Sequence, residues 1–207
     1  MADEALESVS GLPASKPEMP EPTDAEMADA RKALEQWQTP DDFRAKLKDF
    51  MPLVKSSVLF NKPNAQFLLD AVTIAELFKY RPLKSVRLAN QHDGEAKDEN
   101  GMFDIEVTEI QRPGRRRGDE YREESPKVTH VPFDPNLGQT VAAELANGVQ
   151  KKADKKYAAK PLLLVYLNLG DAVGELRTEV EAAINDTKKR HADAFREVCV
   201  IWNGKLY

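Results

Sequence analysis

The stretch from 102 to 110, MFDIEVTEI, alternates apolar and acidic residues. Successive side chains of a strand point to opposite faces, so Phe103, Ile105 and Val107 share one face while Asp104, Glu106 and Thr108 share the other. Such a face is either wet or its carboxylates hold something. Two helical stretches carry matching irregularities. At helical spacing over 64–80, Ala65, Leu68, Leu69 and Val72 fall on one stripe, and Glu76 falls inside it. An ionised carboxylate on a packed face is costly unless it is paired or bound to a cation. The bland alternative is a glutamate at the helix end that reaches solvent or an arginine. Over 139–159, Val141, Leu145 and Val149 form a stripe that Lys152 and Lys156 continue, with snorkelling lysines as the equivalent alternative. Together, acids on a strand, an acid on a preceding helix and lysines on a following helix suit metal-assisted phosphodiester chemistry. Magnesium takes hard oxygen ligands, and a cation orients the attacking water or offsets developing negative charge.

The elements that hold these residues follow in order. Residues 24–38 read as a helix with Asp24 as N-cap, and 39–54 as a helix capped by Thr39 with Pro40 at its first position. The helix over 64–80 ends before Pro82. Residues 84–90 form a strand, 91–101 a polar turn, and the acid-lined strand closes the hairpin. The segment 111–138 holds four prolines and three glycines, too many for a regular element. A helix over 139–159 leads into KPLLLVYLN, an apolar run expected of a strand buried on both faces. A helix over 179–195 and a strand over 197–207 complete the chain. This order predicts an α/β fold: a mixed central sheet flanked by helices over 64–207, with an N-terminal helical extension over 24–63.

The same order, with EVT on the strand at 106–108 and a lysine-bearing helix leading into LLLVYLN, resembles the restriction-endonuclease-like (PD-D/ExK) nuclease superfamily. The resemblance covers residues 64–207. It implies a restriction-endonuclease-like fold that binds nucleic acid and hydrolyses phosphodiesters with Mg2+ or Mn2+. Carried over, the ExK acid is Glu106, while its lysine position holds Thr108. Some members supply the lysine from the following helix, which nominates Lys152 first and Lys156 second. No PD pair precedes the strand, so Asp93, in QHDG, is the metal-binding aspartate by chain order, with Asp104 as the other candidate. Glu76 would act as base or outer acid. The alternative is a catalytically inactive member of the fold serving as an interaction module, which Thr108 favours.

Arg112, Arg115, Arg116, Arg117 and Arg122 cluster in the irregular segment with Tyr121. Guanidinium forks suit phosphates and a tyrosine can stack on a base; equally, Asp119, Glu120, Glu123 and Glu124 can neutralise the arginines within the loop. The net charge of −5 is concentrated in residues 1–23, where five acids face one lysine. That stretch, with four prolines, reads as a disordered acidic tail. A single cysteine, Cys199, excludes an internal disulfide and a cysteine-built metal cage. His92, His130 and His191 show no ligand spacing. With no basic start and apolar core of a secretory signal and no membrane-length apolar run, the cytoplasm is the expected compartment. Nucleic acid is the expected partner, and a homodimer is left open.

Overall fold

In the computed structural model, residues 20–111, 136–168 and 175–207 are described. The apolar run at the centre of the chain becomes β4 (Leu162–Asn168), and Leu162 to Val165 are fully buried. Burial on both faces has a direct cause. Leu162 and Leu164 enter one apolar cluster with Phe43, Leu68 and Ile74, whereas Leu163, Val165 and Leu167 enter a second with Val141, Leu145 and Ile184. The sheet is therefore the middle layer of three. Its six strands lie in chain order: β1 (Ser85–Leu88), β2 (Gly94–Asp98), β3 (Gly101–Gln111), β4, β5 (Glu197–Trp202) and β6 (Lys205–Leu206). Pairing is antiparallel from β1 to β3, parallel from β3 to β5, and antiparallel again at β6. Each parallel step needs a crossover, supplied by α5 (Leu137–Ala153) and α6 (Glu175–Arg190), which pack on the second cluster.

The other face carries α1 (Asp24–Leu34), α2 (Pro40–Phe50), α3 (Ser56–Asn61) and α4 (Gln66–Leu77). Met27, Leu34, Phe43 and Leu47 are buried in the same cluster as the sheet residues, so the N-terminal helices complete the core. Thr39 caps α2 with Pro40 at its start, as expected. For α1 the cap is Thr23, one residue earlier than expected, in a reciprocal capping box with Glu26. Glu21 also reaches Lys55 at 3.4 Å. These contacts lie inside the expected tail; residues 1–19 lie outside the described part. Removing residues 1–23 is thus expected to cost roughly 1 kcal/mol more than removing 1–19, the usual worth of an N-cap. Urea melts of the two truncations measure the difference.

Several boundaries differ from the sequence reading. The expected turn at 91–101 contains β2, and the meander turns at Glu99 and Asn100 instead. Its small residues hide the strand: Gly94 and Ala96 face the core, and at Gly94 a larger side chain would not fit. A β-carbon on Gly94 would lie 2.7 Å from Ile74 Cδ1 and 3.2 Å from the Arg87 carbonyl oxygen. The buried stripe of α4 is Phe67, Leu68, Ala71, Ile74 and Leu77, rotated from the expected one, so Leu69, Val72 and Glu76 lie half-exposed at its edge. The expected single strand over 197–207 is a hairpin. Asn203 and Gly204 both take positive φ, 48° and 68°, the backbone of a two-residue hairpin turn. Cys199 is fully buried in β5. Burial, with the Glu197 carboxylate nearby, pushes its thiol up to about 12. No described helix is long and apolar enough to cross a membrane.

Candidate functional site

The site begins where β3 outruns β2. Their ladder ends with Gly94 opposite Ile105, while on the other side β3 stays paired to β4 through Gln111 and Asn168. At this fork the chain leaves the ladder through Asp93, whose Oδ2 accepts the Val107 amide at 2.6 Å. Glu106, the next residue of β3 after the ladder ends, points to the α5 face and its side chain is only 4% exposed. Lys152, in the last turn of α5, places Nζ 2.8 Å from Glu106 Oε2 and 3.3 Å from Asp93 Oδ2. Tyr157, just beyond α5, donates its hydroxyl to the same Glu106 oxygen at 2.9 Å. His92 lies between two acids, with Nδ1 3.1 Å from Glu106 Oε1 and Nε2 3.4 Å from Asp104 Oδ2.

Local packing explains how α5 delivers its lysine. A β-carbon on Gly148 would lie 2.1 Å from Ile110 Cδ1. A glycine inside a helix costs about 0.5–1 kcal/mol relative to alanine, but here it lets α5 approach β3 closely. Lys152 is four residues on, hence on the same helical face, and it is held against the strand in turn.

Burial alone would raise the Glu106 carboxyl, yet the hydrogen bond and charge of Lys152, helped by Tyr157 and His92, hold it below the usual range. Burial works against the Lys152 ammonium, and Glu106 and Asp93 outweigh it, so its pKa is raised. Tyr157 is raised, first by burial and then by its bond to Glu106. A fourth carboxylate joins from the other side of β3. Asp70, on α4, is pushed up to about 7 by burial and then by the negative charges of Asp93 and Glu106. An acid whose folded pKa lies above its unfolded value of about 3.8 destabilises the fold as it ionises. That penalty is absent below about pH 4 and becomes complete as pH rises through about 7. Asp70→Asn is therefore expected to melt progressively higher than wild type as the pH is raised from 5 to 8, with the gain vanishing near pH 4. Thermal melts across that range test it.

Of the residues singled out by sequence, Asp93, Glu106 and Lys152 converge, and Asp104 joins them through His92. Glu76 does not: it bonds Lys79 at 2.6 and 2.8 Å on the surface, close to the bland alternative for it. The acid that α4 brings near the cluster is Asp70. Lys156 does not either, because α5 ends at Ala153 and Lys156 lies exposed beyond it with φ 51°. Thr108 lines the neighbouring cleft. Arg112, Arg115, Arg116, Arg117, Tyr121 and Arg122 lie outside the described residues, as does His130. Sequence reasoning missed His92, Tyr157 and Asp70. His92 was passed over because it lacks a ligand repeat, although it directly precedes Asp93.

Among the described residues, no group of three or more His, Cys, Asp or Glu side chains is arranged to hold a metal ion. Comparison of the chain with protein-family models, with curated proteins and with solved structures gives no match.

Proposed function

We propose that the protein is a divergent restriction-endonuclease-like nuclease, a divalent-metal-dependent phosphodiester hydrolase acting on nucleic acid. One observation carries the reading: Asp93, Glu106 and Lys152 meet within 3.3 Å contacts although they come from a loop, a strand and a helix. The antiparallel meander followed by a helical crossover into a parallel strand also supports the fold assignment.

The donor set fits magnesium or manganese through two carboxylates. Magnesium keeps several waters and is commonly held by one or two carboxylates with substrate phosphates, so the Asp93–Glu106 pair suffices without a third ligand. Burial is the first cause of the raised Asp70 carboxyl, and at that position the charge of Asp93 adds more than Lys152 takes away. Asp93 and Glu106 would hold the ion, which when bound supplies an activated water and Lewis-acid polarisation of the phosphate. The chain's own residues do the positioning. The Val107 amide fixes the Asp93 carboxylate, and Tyr157 and His92 fix that of Glu106. Lys152 remains an ammonium because its acids raise its pKa, so it donates hydrogen bonds and offsets negative charge and does not accept a proton.

The other reading, an inactive fold that serves as an interaction module, is favoured by one feature. Both oxygens of Glu106 already have protein donors, so the cluster is satisfied as it stands. Incubation of labelled DNA and RNA with the protein in EDTA, Mg2+ and Mn2+ separates the two. Metal-dependent shortening of the strand is expected; intact substrate in every arm leaves the interaction module.

A further inference from the structure

Among the described residues, the part of β3 beyond its ladder with β2 separates two grooves of different character. On the α5 side a groove of about 340 Å³ is lined by Lys151, Lys152 and Lys155, with Glu144 as an acid among them. On the α4 side a cleft of about 570 Å³ is lined by Asp70 and Glu76, with Leu69, Val72 and Tyr166 as apolar surface. Thr108 and Glu109 line both. Nothing in the hydrolytic cluster requires this division. Lysines at the groove are accessible: Lys151 is exposed and the Lys155 side chain is 56% exposed.

A nucleic-acid strand has the same division, with anionic phosphates on one side and uncharged bases on the other. We propose that this edge seats one unpaired strand, its backbone toward α5 and its bases in the cleft beside α4. The inference rests on the nucleic-acid reading above and narrows it to substrates with unpaired bases. Among the described residues no lysine or arginine lines this cleft, so the phosphates of a complementary strand find no counter-charge there. A base brings no charge there. Its ring stacks on an aromatic surface such as Tyr166, a contact worth about 1–3 kcal/mol per base. An ionised carboxylate only accepts hydrogen bonds, so Asp70, once ionised, suits bases with exocyclic amines, as acids pair with the cytosine amine elsewhere. Cytosine and adenine are therefore preferred over thymine and uracil.

Fluorescence anisotropy in EDTA, with the full chain and labelled oligonucleotides of equal length, tests this without relying on turnover. Oligo(dC) is expected to bind at least tenfold more tightly than either an abasic strand or its duplex, and more tightly than oligo(dT). Val72→Trp, which fills the cleft at a half-exposed position, should remove the advantage of bases over the abasic strand and leave the salt slope unchanged. Glu76→Arg, at the surface, should narrow the preference for single strand over duplex, and it keeps the test decisive if the tryptophan variant does not fold. Lys151→Ala with Lys155→Ala should weaken every strand alike and lower the salt slope by roughly 0.7 per lost phosphate contact. Duplex binding as tight as single-strand binding, or equal affinity for abasic and natural strands, overturns the inference. The same probes with Mn2+ keep the two readings apart. Selective binding without cleavage removes only the nuclease, duplex cleavage at the single-strand rate removes only this inference, and no binding to any probe removes both.

Discussion

Glu106→Ala is expected to lower metal-dependent cleavage by about 100- to 1,000-fold, the usual loss when a group that organises charge in the transition state is removed. Strand binding in EDTA should persist or tighten, because one negative charge facing the phosphates is gone. The split is the informative part. A residue that only supported the fold would reduce binding and cleavage together, whereas Glu106 is assigned to the ion and not to the strand. Its removal also leaves the Tyr157 hydroxyl without its acceptor and Lys152 with Asp93 alone. An unsatisfied buried polar group costs about 1–3 kcal/mol, so the variant should melt somewhat lower while remaining folded. Gel assays with Mn2+, paired with anisotropy in EDTA, measure both effects. A variant that cleaves at the wild-type rate removes Glu106 from the site.

The largest stability effect is expected from Lys152→Ala. Breaking a buried ion pair by deleting one partner costs about 3–5 kcal/mol, because the other charge is left uncompensated. The lower end applies here, since Tyr157 and His92 still hold Glu106 and Lys155 approaches it to 3.7 Å. For a domain of this size, about 3 kcal/mol corresponds to a fall of roughly 6–12 °C in Tm. Lys152 and a divalent ion stand near the same two carboxylates. Mn2+ should therefore raise the melting temperature of Lys152→Ala by more than it raises that of wild type, since binding to the folded state alone stabilises by mass action. Turnover should still be lost despite this stronger response to metal. Scanning calorimetry with and without Mn2+ tests the pair of effects, and equal shifts for both proteins would sink the assignment of these acids to a metal.

The parts of the fold that sequence exposes are those whose side-chain pattern is set by the sheet itself. The alternation from Phe103 to Thr108 in β3 and the continuous apolar run of β4 are direct images of one face buried opposite acids and of two faces buried under helices. β2 left no such image, because Gly94 and Ala96 fill their inward positions with almost no side chain. In α4 the apolar residues Leu69 and Val72 line a cleft and not the core. Reading them as core turned the helix by one position, which placed Glu76 inward and left Asp70 unnoticed. The resemblance together with chain order singles out Glu106, Lys152 and Asp93, with Lys156 and Asp104 as the alternatives. It could not find Tyr157, whose role depends on where the chain emerges after α5 ends.

Cys199 makes the lifting of the helical layer from the sheet measurable. The thiol is fully buried among core residues, and its pKa near 12 keeps thiolate scarce at neutral pH. Alkylation needs the thiolate as nucleophile, so in the closed fold the chain is silent to alkylating reagents. Because the Cys199 side chain lies in the cluster that α1 to α4 cover on one face of the sheet, it reacts only when that layer lifts or the chain unfolds. Its labelling rate, set against that of the unfolded chain, therefore reports the free energy of that opening directly. With one cysteine in the chain, every count of incorporated label belongs to this event.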